Sequence, residues 1–597
     1  MNKLPFWKIA IGLGLLLAVA ILPAMTQENP PDLTDYRTTL LQLVAGMADL
    51  RLTGEADMAL IADISASGDA LYIAPLIDIA YFVRNPEGQR QLLAALAALS
   101  GQTDFRDWVN YFEWAGETNI ALPPHYAEFK GALLSTLIDP QFARFFAPGV
   151  QATAQVNLVE AVWGGVRVDG IPSLVNARQI TPAEAQAEGV QLREFCVLAE
   201  CPYPEPDEYV FGVYLNGDAR AYPLRLLNWH EMFNDVIGHT PLYTEPNGEQ
   251  VCYFRAPTTL RVAARAGEDW LLIRGVSAGC PEEGWLATDA IEWTNGIWER
   301  IRDRLPDVAQ NADPLPAGEG FGGRVKGKPV MLAYCTLCGS GILYDVTLPS
   351  LSYTDTTGKL VELGETVLEF GSTGMLMRSN KLMYDRLTDT VWNALTGTPA
   401  FGALATSNIE LPLLPVVVTD WASWLAQHPD TSVLSLRTGY QRDYSNGAAY
   451  RQYFNSPNLM FPVWQQNTET HDLKDMVFGL RLDGIAKAYP LDILIAESLT
   501  HDTIGATQVL LVTQPAPTRN FFEPGGAAVR AYAVGDRRFS VGVAADELIA
   551  DDGTNWQITE DALIAPNGDT VPRLPGHLAF WFGWFSFFPD TLVYGAA

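Results

Sequence analysis

The feature that most constrains this chain is a long stretch that occurs twice. "VFGVYLNGDARAYPLRLLNWHEMFNDVIGHT" (Val210 to Thr240) returns as "VFGLRLDGIAKAYPLDILIAESLTHDTIGAT" (Val477 to Thr507). Phe-Gly, a turn glycine, Ala-Tyr-Pro-Leu, an Asp and Ile-Gly all fall in register. Two more pairs follow in the same order. "VMLAYCTLCGSGILYD" from Val330 lies against "VLLVTQPAPTRNFFEP" from Val509, and "WLAQHPDT" from Trp424 against "WFSFFPDT" from Trp584. The runs are short, β-branched and aromatic, and broken by Gly, Pro and Asn, which is the texture of strands and tight turns. Repetition on this scale predicts two related β-rich domains in tandem, residues 149–470 and 471–597. The matched segments lie farther apart in the first copy, which therefore carries an insertion over about residues 243–329.

Upstream the texture differs. Residues 35–148 place apolar side chains at helical spacing in "YRTTLLQLVAGMADL" and "GQRQLLAALAALSGQ", with Gly, Asn and Pro as punctuation. Paired short amphipathic helices predict a helical module of HEAT-like type. In "DWVNYFEW", Trp108, Tyr111, Phe112 and Trp114 read as core packing in preference to a ligand box. The predicted class is thus α+β multidomain: a helical module, then two tandem β-rich domains of which the second is degenerate.

Lys3 and Lys8 precede the apolar run Ile9 to Met25, and "TQENPPD" follows. This is the pattern of a secretory signal peptide or an uncleaved signal-anchor over residues 1–26. Either predicts an extracytoplasmic chain, periplasmic, at the cell surface or secreted, and membrane-tethered if the segment is retained. The formal net charge of -30 repels phosphate backbones, so nucleic acid is not an expected partner. The helical module is the expected surface for any protein partner.

Six cysteines in an oxidising compartment suggest disulfides. They fall into local pairs, Cys196–Cys201, Cys252–Cys280 and Cys335/Cys338, and the first two read as loop staples. The third is different, because the repeat supplies an internal control. Residues that both copies keep are scaffold, such as the turn glycines Gly217 and Gly484. The second copy has Gln514 and Pro517 where the first has Cys335 and Cys338, and Glu497 where the first has His230. The fold does without the thiols and the imidazole, so they are candidates for chemistry. Cys338 is followed by Gly-Ser-Gly and a β run, which makes the motif a strand–turn–strand knuckle rather than a helix-opening redox motif. Two sulfurs and an imidazole suit a soft metal, copper in preference to zinc. The candidate ligands are Cys335, Cys338 and His230, with Met375 as a further one. Glu231, Asn234, Asp385 and Arg386 are candidate supports around them.

Taken together, "WGGVRVDGIP", "NGDARAYPLRLLNWHEMFNDVIG", "LAYCTLCGSGILYD", "SNKLMYDRLTDTVWNALTG" and "HPDTSVLSLRTGYQRDY" resemble the bacterial extracytoplasmic proteins of the DUF3179 family. The resemblance runs from about Trp163 to the C-terminus. It implies a β-rich domain whose prominent polar features are a His and a C-x-x-C-G, and it supplies no activity. The chain departs from the family pattern at Thr336, where Pro is common, and by the insertion ahead of the cysteines. The expectation is therefore a soft-metal-binding extracytoplasmic protein. A thiol–disulfide oxidoreductase and a non-catalytic surface or scaffold protein are the alternatives.

Overall fold

The computed structural model describes residues 32–48, 58–191, 202–274, 280–293, 298–355, 358–515 and 526–595. The apolar run Ile9 to Met25 and the Cys196–Cys201 pair lie outside the described residues. Among the described residues, no helix is long and apolar enough to cross a membrane.

The chain begins with helices and continues into sheets. Helices span Tyr36–Ala48, Met58–Ser67, Ile73–Phe82, Pro86–Ser100, Trp108–Thr118 and Tyr126–Leu137. Their ends follow local chemistry. Asn85 accepts hydrogen bonds from the backbone N–H groups of Glu87 (2.8 Å) and Gly88 (3.1 Å) ahead of Pro86, and Gly101 closes that helix at φ +75°. Helical turns continue past residue 148, at Val150–Thr153 and Leu158–Glu160, and the first strand begins at Val162. Tyr111 and Phe112 are buried, and Phe112 meets Trp464 edge-on with ring centroids 5.5 Å apart. One apolar core runs from these helices into the β region and takes in Cys335, Cys338, Met375, Trp464 and Phe580.

The segments that read as repeats in the sequence form the same local arrangement. In the first, strand Tyr209–Leu215 lies between Val417–Asp420 and Asp218–Pro223, both antiparallel to it, and Ser432–Leu434 is parallel to the last. In the second, Met476–Leu482 lies between Gly576–Phe580 and Ile485–Pro490, with Leu592–Val593 parallel at the far side. Trp424 Nε1 donates to Thr431 Oγ1 at 2.8 Å, and Trp584 Nε1 to Thr591 Oγ1 at 2.9 Å. Tyr222 donates to Asp235 at 2.6 Å, and Tyr489 to Asp502 at 2.7 Å. Gly212 and Gly479 each leave room for the tryptophan of their own segment, Trp424 and Trp584.

Strands between His239 and Val325 build a seven-stranded sheet of their own, stapled by the Cys252–Cys280 disulfide. A further five-stranded sheet holds Glu231–Ile237, Lys328–Cys335 and Ser340–Asp345 side by side. The cysteine turn stands at the end of this sheet.

Candidate functional site

The cysteine turn is built as the sequence predicts. Strand Lys328–Cys335 pairs with Ser340–Asp345, with Cys335 opposite Ser340. Thr336–Cys338 forms a single 3-10 turn, and Gly339 leaves it at φ +58°, a conformation that suits glycine. A side chain at Gly339 would also meet the ring of Phe580.

Both cysteines are free and buried, 3% and 0% exposed, and their sulfurs are 3.1 Å apart, sharing one hydrogen bond. The Ser379 carbonyl oxygen lies 3.3 Å from Cys338 Sγ and 3.9 Å from Cys335 Sγ. Ser379 is carried there by a tight hairpin between strands Phe370–Met377 and Asn380–Asp385, in which Met377 faces Asn380. The two turn residues, Arg378 and Ser379, have φ +50° and +60°. This is the hairpin conformation that Asn-Gly adopts readily, and a pair without glycine holds it at a cost.

Lys381 follows in the same strand and is the charge of the site. Its ammonium donates to the Tyr334 carbonyl at 2.8 Å and pairs with Glu231, both side chains being buried. The two thiols then diverge. Burial opposes ionisation of Cys335. The hydrogen bond from Cys338, the Lys381 charge and the backbone N–H groups of Lys381 and Cys338 outweigh it, and bring the Cys335 thiol down to about 7. Burial and the neighbouring Cys335 push Cys338 well up. The two thiols thus differ in acidity, Cys335 ionising ahead of Cys338. Burial also raises the Glu231 carboxyl, against the pull of Lys381.

His230 is fully buried, and its Nε2 lies 2.6 Å from the Tyr444 hydroxyl. Burial, and then the Arg442 charge, lower its pKa to about 4, so the imidazole is neutral at pH 7. Among the described residues, no three His, Cys, Asp or Glu side chains are gathered so as to hold a metal ion. Cys335, Cys338 and His230 are thus not gathered into the expected three-ligand set. The sulfurs are also closer together than the separation of about 3.8 Å that two ligands of a tetrahedral zinc would take at ~2.3 Å each.

The expected supporting residues divide. Glu231 reaches the site through Lys381. Met375 is buried in the same core as the cysteines. Asn234 instead clamps the start of strand Phe370–Met377, accepting from Phe370 N at 2.8 Å and donating to Phe370 O at 3.0 Å. Asp385 lies five residues along its strand from Asn380, roughly 17 Å at the rise of an extended chain. There it accepts from Trp392 Nε1 at 2.9 Å and from Thr388, while Arg386 pairs with Asp169 at 3.0 Å. Asp385 and Arg386 therefore fix a remote turn, through separate partners and not with each other.

Sequence reasoning did not single out Ser379, Asn380, Lys381, Tyr450 and Tyr453. A lone lysine within the apolar pattern of "SNKLMYD" was the legible signal. The tyrosines carried none, because they reach the site from a stretch about a hundred residues downstream of the cysteines that has no counterpart among the repeated segments. Tyr453 donates to the Leu337 carbonyl at 2.6 Å and is pinned by Lys474, whose ammonium lies 3.3 Å from the ring centroid. Tyr450, at φ +60°, is half-buried, and its hydroxyl pKa is raised by burial and then by the Cys335 and Glu231 charges. From the second repeat, Phe580 and Gly583 close over the turn.

No curated protein and no solved structure matches the chain. A family model described as a protein of unknown function, DUF3179, matches residues 168–244 and 320–591, which is more than half of the chain and omits most of the inserted sheet. The matched residues include the cysteine turn, Glu231, Lys381 and the segment that covers them, and the chain belongs to the DUF3179 family.

Proposed function

We propose that Cys335 and Cys338 form a dithiol–disulfide couple, and that the protein is an extracytoplasmic thiol–disulfide redox protein. The observation that carries this reading is the 3.1 Å sulfur separation, with one thiol brought down to about 7 beside Lys381. Closing a bond of ~2.05 Å asks each sulfur to move by only about half an ångström. The duplicate segment supports it, since a second copy with Gln514 and Pro517 at these positions keeps the surrounding strand pattern. The Cys252–Cys280 disulfide and the apolar N-terminal run support an oxidising compartment.

A soft metal, copper or zinc, held by the two sulfurs is the second reading. It is favoured by the donor pair itself and requires the sulfurs to spread. Anaerobic purification of the mature chain separates the readings, with bound metal measured by mass spectrometry and free thiols counted before and after oxidised dithiothreitol. A disulfide that forms and reverses, and is lost in Cys335→Ser, supports the couple. Stoichiometric metal lost in the same variant supports the second reading. A pair inert to oxidant and free of metal leaves a scaffold role.

A further inference from the structure

We propose that the oxidant received by this dithiol is a small hydroperoxide, seated by the Ser379 hydroxyl and the Asn380 side-chain amide. This rests on the dithiol reading and adds the class of substrate to it.

Size is the first argument. The turn that carries the sulfurs is packed against Tyr453, Phe580 and Gly583, and clefts of 610, 720 and 960 Å³ elsewhere among the described residues are lined by other residues. A protein disulfide needs an in-line approach to sulfur, which this packing denies. A molecule of two oxygens does not need an open cleft.

Unused polarity is the second. Ser379 and Asn380 are each 1% exposed; the Ser379 hydroxyl and the Asn380 carbonyl oxygen lack a hydrogen-bond partner, and the Asn380 amide N–H end faces the Cys338 sulfur. Burying such a group without a partner is costly. Such groups persist in native structures where they serve a ligand or an ordered water. Asn380 lies against Cys338, close enough to act on its thiol. A hydroperoxide offers one O–H donor and lone pairs on two oxygens, which an amide and a hydroxyl complement.

The strained turn is the third. Arg378 and Ser379 both hold positive φ, and that geometry sets the Ser379 carbonyl against the thiols.

The chemistry balances. The Cys335 thiolate attacks the terminal oxygen and the O–O bond breaks, leaving Cys335 as a sulfenic acid and the other oxygen as an alkoxide. Lys381 lies beside the charge that develops. The Cys338 thiol then attacks the sulfenic sulfur, forming the disulfide and water. The alkoxide takes a proton from that water and hydroxide departs. The peroxide gains two electrons and the dithiol loses two.

The test uses the full reduced chain and follows disulfide formation by mass spectrometry after rapid quench. Hydrogen peroxide, cumene hydroperoxide and diamide are the oxidants. Closure by hydrogen peroxide is expected at least about a hundredfold faster than oxidation of free cysteine, and slower with the bulky cumene hydroperoxide. Asn380→Ala and Ser379→Gly should each slow the peroxide reaction about tenfold more than they slow closure by diamide. Ser379→Gly also relieves the turn, so it tests the hydroxyl in a chain that folds. A peroxide rate equal to free cysteine, with diamide closing the pair, overturns the inference and leaves the dithiol reading standing. Unchanged peroxide rates in both variants overturn the seat. Failure of every oxidant to close the pair overturns the dithiol reading itself.

Discussion

Gly583 lies directly against Cys338: a Cβ at Gly583 would stand 3.1 Å from the Cys338 Cβ and 3.6 Å from its sulfur. The helix Trp581–Phe585 thus closes the cysteine turn at a position where only a hydrogen fits comfortably. Gly583→Ala asks the turn to yield by a few tenths of an ångström. Gly583→Val forces it apart, at a cost of about 1–3 kcal/mol. Urea unfolding should show that loss for the valine and a small one for alanine, and alkylation of Cys338 should speed up in the valine variant.

The thiols should titrate separately. Alkylation of Cys335 by iodoacetamide is expected to reach half its limiting rate near pH 7, while Cys338 stays slow across the neutral range. Lys381→Met should shift the Cys335 midpoint upward, since it removes a charge that favours the thiolate. Peptide mapping after a timed pulse reads both sites at once. An unmoved midpoint would show that Lys381 acts on something else.

Lys381 and Glu231 form a buried ion pair 150 residues apart in sequence. Removing one partner strands the other, so Lys381→Met should cost about 3–5 kcal/mol. Pairing it with Glu231→Gln removes the stranded charge, and the double variant is expected to recover a large part of that loss. A double-mutant cycle by urea denaturation measures the coupling.

His230 makes stability depend on pH with a definite sign. Its pKa is about 4 in the folded chain against 6.5 for the free group, so the unfolded state binds the proton first. Its contribution is complete above pH 6.5 and is lost as pH falls towards 4, by about 2 kcal/mol between pH 7 and 5. His230→Gln should flatten that part of the slope in unfolding curves taken at the two pH values. His577, lowered by burial to about 3, follows the same sign and serves as the comparison.

The Cys252–Cys280 bridge closes a loop with a sequence separation of 28. Reducing it, or replacing both cysteines by Ser, should destabilise the inserted sheet by about 2–4 kcal/mol. Limited proteolysis between residues 245 and 319 should then begin there, with the cysteine turn still protected.

Local pattern was enough for much of this molecule. Periodicity marks the helices, and Asn85, Pro86 and Gly101 fix one of them end to end. The repeated Phe-Gly and Ala-Tyr-Pro-Leu stretches become strands with the same neighbours, because alternation and turn glycines act over a few residues. The strand–turn–strand form of the cysteine motif was legible for the same reason.

The site's partners were not. Asp385 and Arg386 sit beside Lys381 in sequence, yet an extended strand carries them away from the cysteines, and they fix a turn instead. Glu231 and Lys381, or His230 and Tyr444 at a separation of 214, meet only when separate sheets and the connecting segment pack together. The sequence by itself determined which residues form most of the helices, strands and turns. Tertiary structure decided what the two thiols face, because burial and charge act through space, and a sulfur's pKa depends on its neighbours after folding.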